Sequence, residues 1–482
     1  MEFERMKRYR FAFLVVFSMF FISVLNLGCN SFDSYFSEVK IEHIQLMNTP
    51  GNRLRFRVTI TCNINSKACL KYWKLGTNDT LYTNVTAPGK TDTIDILNTE
   101  AESHYRFQVI AYNGHSTCLS RLHDFETQLI YHATPYFDLD TVDSKFEPEI
   151  HNKYFLTQIL TEPGSLVIIN SKGNIVWYQP FKKGVKVSHW TSKGTILCIV
   201  GSEKIPSSGG DEIYEMNLAG KILRHLKVGT GDMDKLVHHE VRFDNAGNIY
   251  ALTFTKKPFD LSPAGGSKKD TVHGDGIVVF NKSGKKIWEW SILDHLDLVN
   301  YPNILKAKKD LVHGNALFRD KDGNFIISFR DISQFWKVAY PGGKVLWKIG
   351  EKGDFKIDTA DTFSGQHSVH INEYGQLMML DNGAKSKISS AMAFTIDTLN
   401  KRIVKQFRVP LAKEYFTATK GNAALFDHNK ILFCLTDPKV FLITNMQGKI
   451  LWKVNLAGDP YRLEEVKGFL KNKPFIDANT KF

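Results

Sequence analysis

One short signal recurs six times in this chain: a turn glycine, a polar residue, then an apolar strand that often ends in tryptophan. It occurs as SKGNIVW (171–177), LAGKIL (218–223), KSGKKIW (282–288), PGGKVLW (341–347), LNKRIV (399–404, with Asn400 in the glycine's place) and MQGKILW (446–452). Between Gly173 and Gly448 successive signals lie 47 to 64 residues apart. A second signal interleaves with the first, as TSKGTILCIV (191–200), DNAGNIYAL (244–252), DKDGNFIIS (320–328), NEYGQLMML (372–380) and DHNKILFCL (427–435). Two turns per period imply about four strands per period. A lone four-stranded unit cannot bury both of its faces, and six such units bury them against one another by closing into a ring. The sequence therefore predicts an all-β chain with a six-bladed β-propeller over 151–482. LTEPGSLVIIN (160–170) supplies strands of the first blade, and the segment after Leu456 helps to close the ring.

The region before the repeats is different. From 39 to 127 short alternating strands such as LRFRVTITC (54–62), LKYWKL (70–75) and YRFQVIAYN (105–113) predict a small β-sandwich of fibronectin or immunoglobulin type. Residues 128–150 read as a connector. At the start, Lys7, Arg8 and Arg10 precede an apolar run from Phe11 to Leu27 and then Gly28-Cys29. This is the pattern of a signal peptide over 1–29 with a lipidated Cys29 and a polar tether over 30–38; an uncleaved anchor or ordinary secretion is the alternative. Either way the body is exported, as a periplasmic or cell-surface lipoprotein of a bacterium in the first reading. Of the remaining cysteines, Cys62 and Cys69 are spaced to bridge a hairpin. No CxxC occurs, which argues against a cysteine zinc site. The net charge of +12 suits anionic substrates, an anionic membrane surface or simple solubility. No dense basic run with interleaved aromatics points to nucleic acid.

Histidines mark the starts of several repeats. His239 stands eight residues before Gly247, and His367 eight before Gly375, so HHEVRFDNAG matches QHSVHINEYG without a gap. His313 and Thr419 stand ten residues before Gly323 and Asn429. In a propeller the innermost strands run in one direction, and their first residues gather at one mouth of the central channel. His238 is an alternative to His239, and His370 alternates onto the other strand face. Asn315 lies two residues after His313 and shares its face, while Arg330 ends the returning strand. Neutral imidazoles suit a metal, but no carboxylate occupies an equivalent position, Glu240 being one place off. Histidines with an arginine fork and an amide suit a tetrahedral oxyanion, with one imidazole available as nucleophile.

On these residues the chain resembles the bacterial arylsulfotransferases that use no nucleotide sulfate donor. The resemblance is carried by Gln366-His367 with Leu380-Asp381-Asn382-Gly383, by His313-x-Asn315 followed by Arg330, and by His238-His239-Glu240. It covers about 150–456, and the family's extra N-terminal β-domain would account for 39–127. It implies ping-pong transfer of a sulfuryl group from a phenolic sulfate to a phenol. His367 would be the nucleophile, and His313, Asn315 and Arg330 would hold the sulfuryl oxygens. His239 or His238 would move the phenol proton, and Gln366 and Thr419 would touch substrate. No metal or cofactor is implied, and family members include dimers. Two rivals are a non-enzymatic lipid-anchored scaffold and a quinone-dependent dehydrogenase-like propeller.

Overall fold

The computed structural model describes residues 37–130, 137–205 and 208–469. The expected signal peptide, Cys29 and all of the tether except its last two residues lie outside the described residues. The chain divides into two compact units after Leu129.

In the first unit one long strand, Phe56–Lys74, runs through a seven-stranded sheet. Its first half pairs with Ile41–Asn48 and Gly89–Ile96, and its second half with Thr80–Tyr82 and His104–Tyr112. Alternation along these strands buries Val58, Ile60, Leu70, Tyr72, Phe107 and Val109 in one core, a sandwich-like β-domain. Cys62 and Cys69 lie on that single strand, not across a hairpin, and both thiols are free. The expected bridge fails because a strand advances about 3.3 Å per residue, which carries residues seven apart out of disulfide reach.

The second unit is the six-bladed propeller, each blade a sheet of four or five antiparallel strands. The two sequence signals mark its turns. The second signal turns the innermost strand into its neighbour, as at Gly247, Gly323 and Gly375. The first signal turns the third strand into the fourth, as at Gly284, Gly343 and Gly448. Three of the recurring tryptophans have an evident purpose. The indole N–H groups of Trp177, Trp288 and Trp452 donate to the carbonyls of Leu218, Pro341 and Ser171, each latching one blade to the next.

The ring closes at both ends of the unit. Phe137–Val142, inside the segment read as a connector, pairs with Ile450–Leu456 as the outermost strand of the sixth blade. Glu464–Glu465 pairs with Tyr154–Ile159 as the innermost strand of the first blade.

Candidate active site

The innermost strands of blades two to six are Gly184–Trp190, Val237–Phe243, Gly314–Arg319, His367–Ile371 and Asn422–Phe426. Four of them break register near the start: between Val185 and Val187, His238 and Val241, Gly314 and Ala316, and His367 and His370. Beside these breaks His239, His313 and Ser368 each take φ 55°, and Lys420 takes φ 60° in blade six. A left-handed backbone costs a non-glycine residue about 1–2 kcal/mol. Strain repeated at one level of the ring is the local signature of a built site. It also shows what the gapless sequence match conceals. The kink falls on His239 itself in blade three, but on Ser368, after His367, in blade five.

His367 is buried (1% exposed) and its orientation is fixed from one side. Its Nδ1 lies 2.7 Å from Asn382 Oδ1 and 3.1 Å from the Gly365 carbonyl. The Asn382 amide nitrogen donates to the carbonyls of Thr417 (2.9 Å) and Lys420 (3.1 Å), so Oδ1 faces the ring. Both neighbours of Nδ1 are therefore acceptors. Nδ1 carries the proton and Nε2 the lone pair, met only by a long contact from the Lys420 N–H at 3.3 Å. Burial pushes the imidazole pKa down to about 3, the Asn382 bond pulls it up, and the charges of Arg462, Arg330 and His313 add to the depression. His367 is thus neutral at pH 7.

His239 packs edge-on against His313 with ring centroids 4.9 Å apart, and faces the Tyr461 ring at 6.1 Å. His238 lies behind it, stacked on Phe254 at 4.1 Å. This resolves the alternative left by the sequence: His239 faces the other site histidines and His238 backs it. The two Nδ1 atoms are 2.8 Å apart, and His238 Nε2 is 3.3 Å from Asp275 Oδ1. His238 Nε2 makes no hydrogen bond to that carboxylate. One of the two facing Nδ1 atoms carries the proton, and where that is His239 its Nε2 keeps a free lone pair. Burial holds His238 down to about 3 and His239 well below its ordinary value, and it pushes Asp275 up to about 6.

His313 Nδ1 bonds Asp310 Oδ2 at 2.7 Å. The Arg330 N–H donates to the His313 carbonyl, so the returning strand ends beside it. Arg330 Nε pairs with Asp331 at 2.7 Å, leaving the terminal nitrogens available to a ligand. Asn315 donates to the Gln366 carbonyl at 2.7 Å and retains a second N–H. Gln366 is fully buried, its amide nitrogen donating to Ser328 Oγ and to the carbonyls of Phe329 and Gln334. That arrangement ties blades four and five together. The Thr419 carbonyl accepts from Thr417 Oγ1.

Three residues that the sequence reading did not single out stand at the same level. Asn382 was quoted there only as part of a motif. Lys186 occupies the register break of blade two and is buried, which depresses its pKa. Arg462 precedes the innermost strand of blade one and is 2% exposed. The register counts that found the histidines would have found Lys186. No pattern announces Arg462.

The family model described as Arylsulfotransferase (ASST) matches residues 138–460. No curated protein matches the sequence. Among solved structures, a protein of unknown function from Bacteroides caccae aligns over 65% of this chain and 99% of its own, with 13% identity and a TM-score of 0.42. Virginiamycin B lyase from Staphylococcus aureus aligns over 66% and 99%, with 12% identity and a TM-score of 0.33. An auxiliary nutrient binding protein from Bacteroides thetaiotaomicron aligns over 89% and 91%, with 10% identity and a TM-score of 0.35. Likenesses this loose carry nothing about function.

Proposed function

The chain belongs to the arylsulfotransferase family and is an arylsulfotransferase, and from that premise we propose that it works by ping-pong transfer through His367. Nε2 of His367 attacks the sulfur of a phenolic sulfate ester. The S–N bond forms as the S–O bond to the aryl group breaks, and the phenolate leaves. An acceptor phenol then attacks the same sulfur, the S–N bond breaks, and the imidazole is restored. His239 Nε2 takes the acceptor's proton in the second step and releases it to solvent, its lowered pKa leaving it neutral for the next cycle. The terminal nitrogens of Arg330, the free N–H of Asn315 and His313 hold the sulfuryl oxygens as charge shifts between donor, ring and acceptor.

The observation that carries this reading is the state of His367: neutral, with Nδ1–H held by two acceptors and Nε2 unencumbered but for one long contact. A nucleophile needs a lone pair presented at a fixed angle, and the two acceptors on Nδ1 leave His367 with one on Nε2. The test is acceptor-dependent release of nitrophenol from 4-nitrophenyl sulfate by the wild-type chain and by His367→Ala. The variant is expected to fold and to transfer nothing. Full transfer by the variant would sink the mechanism. In the same reading the enzyme works outside the cytoplasm, tethered to the membrane by a lipid on Cys29.

A further inference from the structure

Beside the histidines lies a charge network, buried at His189, Glu240 and Arg462 and half-buried at Arg242 and Glu464, that the mechanism above does not use. His189 Nε2 is 2.5 Å from Glu240 Oε1, and His189 Nδ1 is 2.5 Å from Glu464 Oε1. Arg242 Nε donates to Glu240 Oε1 at 3.1 Å, and Arg242 Nη2 is 3.7 Å from Glu464. Arg462 Nη2 reaches Glu240 Oε2 at 3.4 Å and the Asn315 carbonyl at 3.5 Å. Placed between two carboxylates, His189 keeps its proton: its pKa is raised although burial opposes that. The network thus holds three cations against two carboxylates. One positive charge is left over in the network, close to His239 and His367, which are neutral.

The surplus is localised on Arg462. Its Nε and Nη1 have no hydrogen-bond partner among the described residues, although the side chain is 2% exposed. A buried guanidinium with N–H groups unspent is costly, and native structures keep such groups where a ligand or water meets them. The position of the group is also telling. Arg462 belongs to blade one, and Asn315, which it contacts, to blade four on the opposite side of the ring. The guanidinium therefore crosses the central axis. Its contacts with Glu240, next to His239, and with the Asn315 carbonyl set it among the residues of the site.

The backbone that carries it is held on three sides. Thr157 Oγ1 donates to the Arg462 carbonyl at 2.8 Å. Leu463 exchanges two hydrogen bonds with the Asn422 amide of blade six, each 2.9 Å. Glu464 accepts from the Trp190 N–H of blade two at 3.0 Å. Such a frame fixes a side chain for recognition before any ligand arrives.

We propose that Arg462 is an anion-binding residue of the central site, its Nε and Nη1 donating to oxygens of a sulfuryl group or of inorganic sulfate held on the axis. That the anion is the substrate's sulfuryl group rests on the reading of His367 given above; the anion site itself does not. Arginine suits the position because its fork presents two parallel donors, and it stays charged when buried.

The test uses the full chain with inorganic sulfate as probe. Two quantities are read in wild type, Arg462→Gln and Arg462→Lys: the rise in Tm caused by sulfate, and the Ki of sulfate against 4-nitrophenyl sulfate. Wild type is expected to show a sulfate-dependent rise that Arg462→Gln lacks, with Ki raised about tenfold or more. Arg462→Lys keeps the charge and its partner Glu240 but not the fork, and is expected to recover only part of the affinity. Should Arg462→Gln fail to fold, the lysine variant carries the comparison. Equal Ki and equal Tm shifts in all folded proteins would overturn the proposal while leaving sulfuryl transfer untouched. If wild type transfers no sulfuryl group, a Tm rise that depends on Arg462 still upholds the anion site, and its absence removes both.

Discussion

Replacing Asn382 by leucine tests how the nucleophile is prepared. The substitution roughly keeps side-chain volume and removes three hydrogen bonds: to His367 Nδ1 (2.7 Å), to the Thr417 carbonyl (2.9 Å) and to the Lys420 carbonyl (3.1 Å). Thr417 keeps a weak bond from Ser389 Oγ at 3.4 Å, while the Lys420 carbonyl loses this partner. With about 1 kcal/mol net for each bond and 1–3 kcal/mol for an acceptor left dry, the variant should lose roughly 2–5 kcal/mol of stability. The effect on chemistry should be smaller. The Gly365 carbonyl still accepts from Nδ1 at 3.1 Å, so the tautomer is weakened, not abolished. One neutral hydrogen bond of about 1–1.5 kcal/mol corresponds to a loss of about tenfold in the donor half-reaction. The assay is the nitrophenol burst from 4-nitrophenyl sulfate without acceptor, followed from pH 5 to pH 8. Wild type should be flat over that range, since a ring with a pKa of about 3 is already neutral at pH 5. An ordinary imidazole at 6.5 would lose roughly thirtyfold there. An unchanged burst rate in Asn382→Leu, or a wild-type limb near pH 6.5, would refute the reasoning.

Other consequences are open to measurement. Arg330→Lys should lower kcat/KM about tenfold although the charge remains, because an ammonium cannot reproduce the fork; an unchanged value would confine Arg330 to its pair with Asp331. His238, His239 and His367 are buried and His370 is half-buried, and desolvation holds them neutral, down to about 3, well below normal, about 3 and about 4. The unfolded chain takes up protons near pH 6.5 that the folded chain refuses, so stability should fall below that pH by about 1.4 kcal/mol per unit for each. Asp275, raised to about 6, opposes this between pH 6 and 4, because only its folded form holds the proton. A Tm at pH 5 equal to that at pH 7 would contradict these assignments. Cys29→Ala should move the protein from the membrane to the soluble fraction, and continued membrane retention would argue for an uncleaved anchor.

The blade count was legible because every blade writes the first turn into the sequence and all but blade one write the second. At Gly247 and Gly284 the chain takes φ of 80° and 83°, a backbone that favours glycine, and the apolar strand that follows must be buried. The convergence of His239 and His313 was legible for the same reason: a short count back from the turn, eight residues in one blade and ten in the other, reaches the strand's start. What escaped is what no local pattern encodes. Glu464–Glu465 is two polar residues long, and only its pairing with Phe155 and Leu156, some three hundred residues earlier, makes it a strand. Arg462 was invisible with it. Phe137–Val142 alternates like any edge strand and gives no sign that its partner is Ile450–Leu456. The kinks escaped because histidine, serine and lysine do not advertise a left-handed backbone as glycine does.

The most direct measurement is to incubate the wild-type chain with 4-nitrophenyl sulfate in the absence of acceptor, quench in base, and map the added mass by peptide sequencing. A sulfuryl group on His367, discharged when a phenol is added, is the predicted result. A sulfuryl group on another residue, or acceptor-dependent turnover with His367 never modified at any time, would contradict the account.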